Sequence, residues 1–286
     1  MKPPSGQNRI RALLVTFSLM WAVAPAARAQ MAVSGGQQAT PQSTPADSLQ
    51  TRLHMLTDVQ TQGQSIDKKE LADYKAFYKE NQEPAKKIQL GQAFLQKYPK
   101  SALSEAVDAE LVDAYAARQD WPNVYLTADQ ALALKPDDVD VLTTVGWIIP
   151  HVYHPGGSDA DALLQRAETY ERHAMEVLMA MPKPSSLTDS QFATLKAGKT
   201  IQAHSALGLI YFRREDYDNS AKELQQAVQN NPTPDPADLY VLGVDLENSQ
   251  RSNEAADVFG RCAAITSSLQ DRCKESVDAI KKAPGH

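Results

Sequence analysis

The chain has 286 residues, 42% of them apolar, 29 Lys and Arg against 35 Asp and Glu, and two cysteines. That is enough apolar material for a sizeable core or a stack of several repeats, and the net charge of −6 argues against nucleic acid and anionic membrane surfaces as partners. Glycines are few, helix formers are many and no sustained strand-like alternation occurs, so the expected class is all-α.

Residues 1–29 read as a signal peptide. Lys2, Arg9 and Arg11 precede an apolar run from Ala12 to Ala24, and Ala27-Arg28-Ala29 before Gln30 fits the small-x-small cleavage pattern. The run is shorter than the about 20 residues that a membrane span needs. Cleavage near Ala29 predicts a periplasmic or secreted mature protein with no transmembrane span. It removes four cations and no acid, taking the net charge from −6 to −10. A retained anchor is the alternative reading. Residues 30–66 read as a flexible linker: Gln30 to Ala46 is rich in Gln, Ser, Thr, Ala, Gly and Pro. Leu49, Leu53, Leu56 and Val59 then mark a short amphipathic helix that either caps the stack of repeats or lies loose.

From residue 67 the chain reads as paired helices. Leu71, Tyr74, Phe77 and Tyr78 share one side of a first helix, and Pro84 opens a second through Ile88, Leu90, Phe94 and Leu95. Ser104 to Pro136 carries Leu111 and Tyr115, a turn at Asp120-Trp121, then Ala128 and Ala131. Val139 to Pro182 has Leu142, Val145-Gly146 and Ile149, with a kink expected at Pro150 and a long turn at His154-Pro155-Gly156-Gly157. Its second helix runs from Asp159 through Leu164, Ala167, Tyr170, Ala174 and Leu178. Ser185 to Lys199 is a connector with a cap at Thr188-Asp189, expected to extend the next helix or add a short one.

The clearest stretch is Ile201 to Ile265. Leu207-Gly208, Tyr211, Ala221, Leu224, Ala227 and Pro232 are followed by a second copy with Leu242-Gly243, Leu246, Ala255-Ala256, Phe259 and Cys262. Gly208 and Ala227 are small where the two helices of the first copy are expected to cross. Leu269 to Ala283 reads as an end helix with Val277 and Ile280 inward.

These copies resemble the tetratricopeptide repeat family. The resemblance implies a right-handed α-α superhelix of about five helix pairs, with repeats at about 68–101, 105–138, 139–182, 201–234 and 236–266 and a capping helix at 267–283. It also implies a non-catalytic scaffold that binds a peptide or partner helix in a concave groove. Carried over position by position, that groove receives Asp113, Thr143, Trp147, His151, Phe212, Arg213, Tyr240, Glu247 and Asn248. Its aromatic anchors and two acids suit a partner with apolar or basic side chains. Ala109 and Asp113 stand where the carboxylate clamp of the chaperone-binding members would have Lys and Asn, so capture of a C-terminal carboxylate is not expected.

Other constellations point away from catalysis. Cys262 and Cys273 are expected to form a disulfide in an exported protein, the alternative being two buried thiols. His151 and His154 have metal-like spacing, with His173 in the facing helix, but no Glu-x-x-His or His-Glu-x-x-His motif and no nearby Cys accompanies them, so neither metal nor cofactor is expected. A metal-dependent hydrolase built on them is one alternative; an anchored or oligomeric envelope-assembly or cell-wall accessory protein is another. Ala193 to Thr200 matches a relaxed phosphate-loop pattern without the preceding strand that such a loop requires.

Overall fold

The computed structural model describes residues 66–185, 187–229 and 231–282. The expected signal peptide, the linker and the Leu49 to Val59 helix lie outside the described residues. Within them are eleven α-helices and no strand. They are α1 (Lys68–Lys79), α2 (Pro84–Lys97), α3 (Ser104–Ala117), α4 (Trp121–Leu134), α5 (Val139–His151), α6 (Ala160–Ala180), α7 (Asp189–Arg213), α8 (Tyr217–Gln229), α9 (Pro236–Asn248), α10 (Ser252–Ala263) and α11 (Gln270–Lys282).

Local sequence sets the helix starts. Asp67, Asp138 and Asp235 each accept a backbone N–H of the first turn, from Lys69, Val141 and Ala237. Thr188 and Gln191 cap each other's backbone at the start of α7. The connector thus extends the following helix: α7 is one 25-residue helix. Residues 193–200 lie within it, so the phosphate-loop-like string opens no helix and follows no strand.

The helices pair as α1–α2, α3–α4, α5–α6, α7–α8 and α9–α10, with α11 packed on α10. The first helices of successive pairs also touch, α3 to α5 to α7 to α9, which makes a stacked α-α solenoid. Three turns between paired helices close alike. Gln119, Glu215 and Gln250 are left-handed (φ 57°, 60° and 60°), and the next N–H reaches back five residues, Asp120 to Tyr115, Asp216 to Tyr211 and Arg251 to Leu246. The chain tolerates a non-glycine residue there because these bonds satisfy helix-end carbonyls that would otherwise be orphaned.

The crossings differ from expectation in their partners. A Cβ on Gly208 would come within 2.5 Å of Leu224, and one on Gly243 within 2.5 Å of Phe259, so each glycine faces the bulky residue sixteen positions on. Gly208 is therefore opposed by Leu224 and not by the small Ala227. At the matching positions of α3 and α4 the sizes are reversed: Val112 and Ala128 are both buried. Swapping large and small conserves the volume of the crossing. Pro150 does not interrupt α5; the helix ends one residue later, at His151. Among the described residues no helix is long and apolar enough to cross a membrane.

Candidate functional site

The α5 and α7 ends form the densest grouping of the expected groove residues. Trp147 stacks on His151 with ring centroids 3.7 Å apart, the step of four on α5 bringing the rings together, and both remain half-buried. His151 Nδ1 lies 2.7 Å from the Trp147 carbonyl. Burial drives its imidazole down to about 4, outweighing that carbonyl and helped by the nearby Arg213 charge. His151 is therefore neutral near pH 7, its Nδ1–H donating and its Nε2 left as an acceptor.

Arg213, the last residue of α7, reaches across to α5. Its Nε donates to the Pro150 carbonyl at 3.0 Å, and its guanidinium sits 5.8 Å from the Tyr153 ring centroid. Burial works against the Arg213 charge. Among the described residues no carboxylate forms an ion pair with it, whereas the next residue, Arg214, is paired with Glu168 at 2.5 Å.

The other expected residues separate. Thr143 is fully buried between α5 and α7: its hydroxyl donates to the Val139 carbonyl at 2.8 Å and accepts from Lys199 at 3.2 Å. It braces the crossing of these helices and cannot line an open surface. Tyr240 is 8% exposed, packed on Phe259 at 5.7 Å with Arg272 of α11 over its ring, and so is not an open anchor either. Phe212 is half-buried and meets Tyr217 edge-on at 6.2 Å, within its own hairpin. Asp113 on α3 is exposed. Glu247 and Asn248 are exposed at the end of α9, where Asn248 donates to the Val244 carbonyl at 2.8 Å and partial burial raises the Glu247 carboxyl. Asn248 also borders an open polar cleft with Tyr217 and the acids Glu215, Asp216 and Asp218.

Tyr153 was not foreseen as a site residue. It lies in the insertion after α5, where the repeat register gives no position to carry over, and its place between two histidines was the only hint. The histidines themselves take separate partners. His173 Nε2 is 2.8 Å from Asp137, two residues before α5 begins, and His154 is exposed. Among the described residues no group of three or more His, Cys, Asp or Glu is placed to hold a metal ion. Cys262 and Cys273 are joined by a disulfide that ties α10 to α11.

No protein-family model matches the chain, and no curated protein matches it. A crystal structure described as TTC0263, a thermophilic TPR protein in Thermus thermophilus, is similar with a TM-score of 0.45 and 13% sequence identity, over 70% of this chain and 91% of that one.

Proposed function

We propose that the protein is a non-catalytic scaffold of the cell envelope or periplasm, exported by its first 29 residues, that binds a peptide or partner helix along its first helices. The observation that carries this reading is the half-buried cluster of Trp147, His151, Tyr153 and Arg213 at the ends of α5 and α7. Aromatic rings and an arginine on a rigid helical frame are the side chains that anchor protein interfaces, because they bury large areas and lose little entropy. Apolar side chains of the partner would cover the Trp147–His151 stack. The exposed acids Asp113 and Glu247 flank it on α3 and α9 and would favour basic side chains at those ends.

The test is site-specific photocrosslinking in the cell of origin. A benzoylphenylalanine at position 147 is expected to trap one polypeptide, and the same residue at position 126, on the exposed side of α4, is expected not to. Equal trapping from both positions, or from position 126 alone, contradicts the reading.

A further inference from the structure

The cation of this cluster, which forms no ion pair among the described residues, defines the partner more closely, given that a polypeptide binds there. We propose that Arg213 receives a carboxylate of that polypeptide, an Asp or Glu side chain bordered by an apolar residue that rests on Trp147 and His151.

Three observations carry this. First, Arg213 is held in place by its Nε bond to the Pro150 carbonyl, which leaves the two terminal amino groups of the guanidinium without a described acceptor. A planar fork with its stem fixed and its ends open matches the two oxygens of a carboxylate. Second, the chain is acidic, with 35 Asp and Glu, and the neighbouring arginines use them: Arg214 and Arg172 both bind Glu168, and Arg166 binds Asp129. Arg213 is instead half-buried beside a carbonyl, the Tyr153 face and the neutral His151, so among the described residues no carboxylate helps to offset its desolvation. An incoming anion would offset it. Third, the anion should be singly charged and carried on an otherwise apolar segment. The adjacent Arg214 is taken up by Glu168 and His151 is neutral, so a phosphate dianion would find the single charge of Arg213 to pair with. The aromatic stack alongside favours an apolar neighbour. Asp113 and Glu247, being on α3 and α9, stay compatible with basic side chains further along the same segment.

The test uses the chain from Gln30 onward, panned against a random dodecapeptide library displayed with its C-termini fused, so that any carboxylate selected is a side chain. Enriched peptides should share an Asp or Glu next to an aromatic or aliphatic residue. For the tightest peptide, made as a C-terminal amide, Arg213→Gln should weaken binding at least tenfold while Arg213→Lys retains part of it, with helical circular dichroism unchanged in both. Replacing the peptide's acid by its amide should weaken binding to the wild type but not to Arg213→Gln, the signature of a direct pair. Peptides that bind without a shared acid, or an acid whose effect is independent of Arg213, overturn the carboxylate assignment; if Trp147→Ala still weakens them, the scaffold reading survives. Selection of no peptide, or of peptides indifferent to both Trp147→Ala and Arg213→Gln, overturns both.

Discussion

The Ser220 hydroxyl lies 2.6 Å from Asp245 Oδ2 and 2.8 Å from the Gly208 carbonyl, so a single side chain joins α7, α8 and α9. Ser220 has one proton to give. If Asp245 were ionised, its carboxylate and the carbonyl would compete for that proton. With Asp245 protonated, it donates to Ser220, Ser220 donates to Gly208, and both contacts are satisfied. The buried Asp245 carboxyl is accordingly pushed up to about 8, burial outweighing the Ser220 bond.

That arrangement predicts a pH dependence. Asp245 ionises near 3.8 in the unfolded chain and near 8 in the folded one, so its contribution is fully present below about 3.8 and is lost as pH rises through 8. Asp245→Asn keeps the donor to Ser220 and removes the titration. It should leave Tm within about 2 °C of the wild type at pH 4.5 and raise it by about 3–8 °C at pH 8.5. Calorimetry at the two pH values checks this; an equal shift at both would show that Asp245 does not titrate with folding.

Glu171 occupies the slot that Leu224 and Phe259 fill in the two following pairs, facing Gly146. It is fully buried, neither oxygen has a hydrogen-bond partner among the described residues, and burial pushes its carboxyl well above 4.5 despite Lys199 nearby. Glu171→Leu should therefore stabilise the fold by about 1–3 kcal/mol at neutral pH. The gain should be larger at pH 8 than at pH 4.5, since the raised carboxyl costs stability only once the unfolded chain can release the proton. Urea titration at both pH values measures the gain, and a loss of stability would assign the carboxyl a structural role.

Lys87 and Glu110 form an ion pair between α2 and α3 with each side chain 10% exposed, and Lys87 also donates to Asn81 at 3.0 Å. Removing one partner leaves the other charge buried. Lys87→Met should cost about 3 kcal/mol, and adding Glu110→Leu should recover most of it. If the double variant is no more stable than the single one, the lysine acts through its contacts with the Phe77 and Tyr78 rings.

The disulfide closes a separation of eleven residues at the end of the stack. A bridge over so short a loop stabilises by about 2–3 kcal/mol. Unfolded, unreduced protein should yield no titratable thiol, and reduction or Cys262→Ala with Cys273→Ala should lower Tm by about 4–10 °C. Two thiols found without reductant would contradict the bridge.

The fold was legible where side chains repeat at a fixed step. Leu207-Gly208 and Leu242-Gly243 located two pairs because a glycine at a helix crossing leaves a pattern in the sequence, and Thr188 located the start of α7 because capping is local. The site was less legible. Carrying positions over from a repeat assigns each residue a face but not what its neighbours in space do with that face. Thr143 is bonded by Lys199, and Tyr240 is covered by Arg272 as well as Phe259; Lys199 and Arg272 come from an extended helix and from the end helix, both outside the repeat pattern. Tyr153 sits in an insertion, where the repeat offers no register. Glu171 was invisible for the opposite reason: its position is regular, but a charged side chain at a core position can be recognised only once its opposite number is known.

A polypeptide that binds where α5 and α7 end, as proposed above, must rest on Trp147. The most direct measurement is the dissociation constant of the polypeptide trapped at position 147, determined by calorimetry for the wild type, Trp147→Ala and Leu126→Ala. Leu126 is 55% exposed on α4, which contributes no residue to that cluster, and serves as the control. Binding should be at least tenfold weaker for a still-helical Trp147→Ala and unchanged for Leu126→Ala. Unchanged binding by Trp147→Ala, or loss by Leu126→Ala, would place the interface elsewhere.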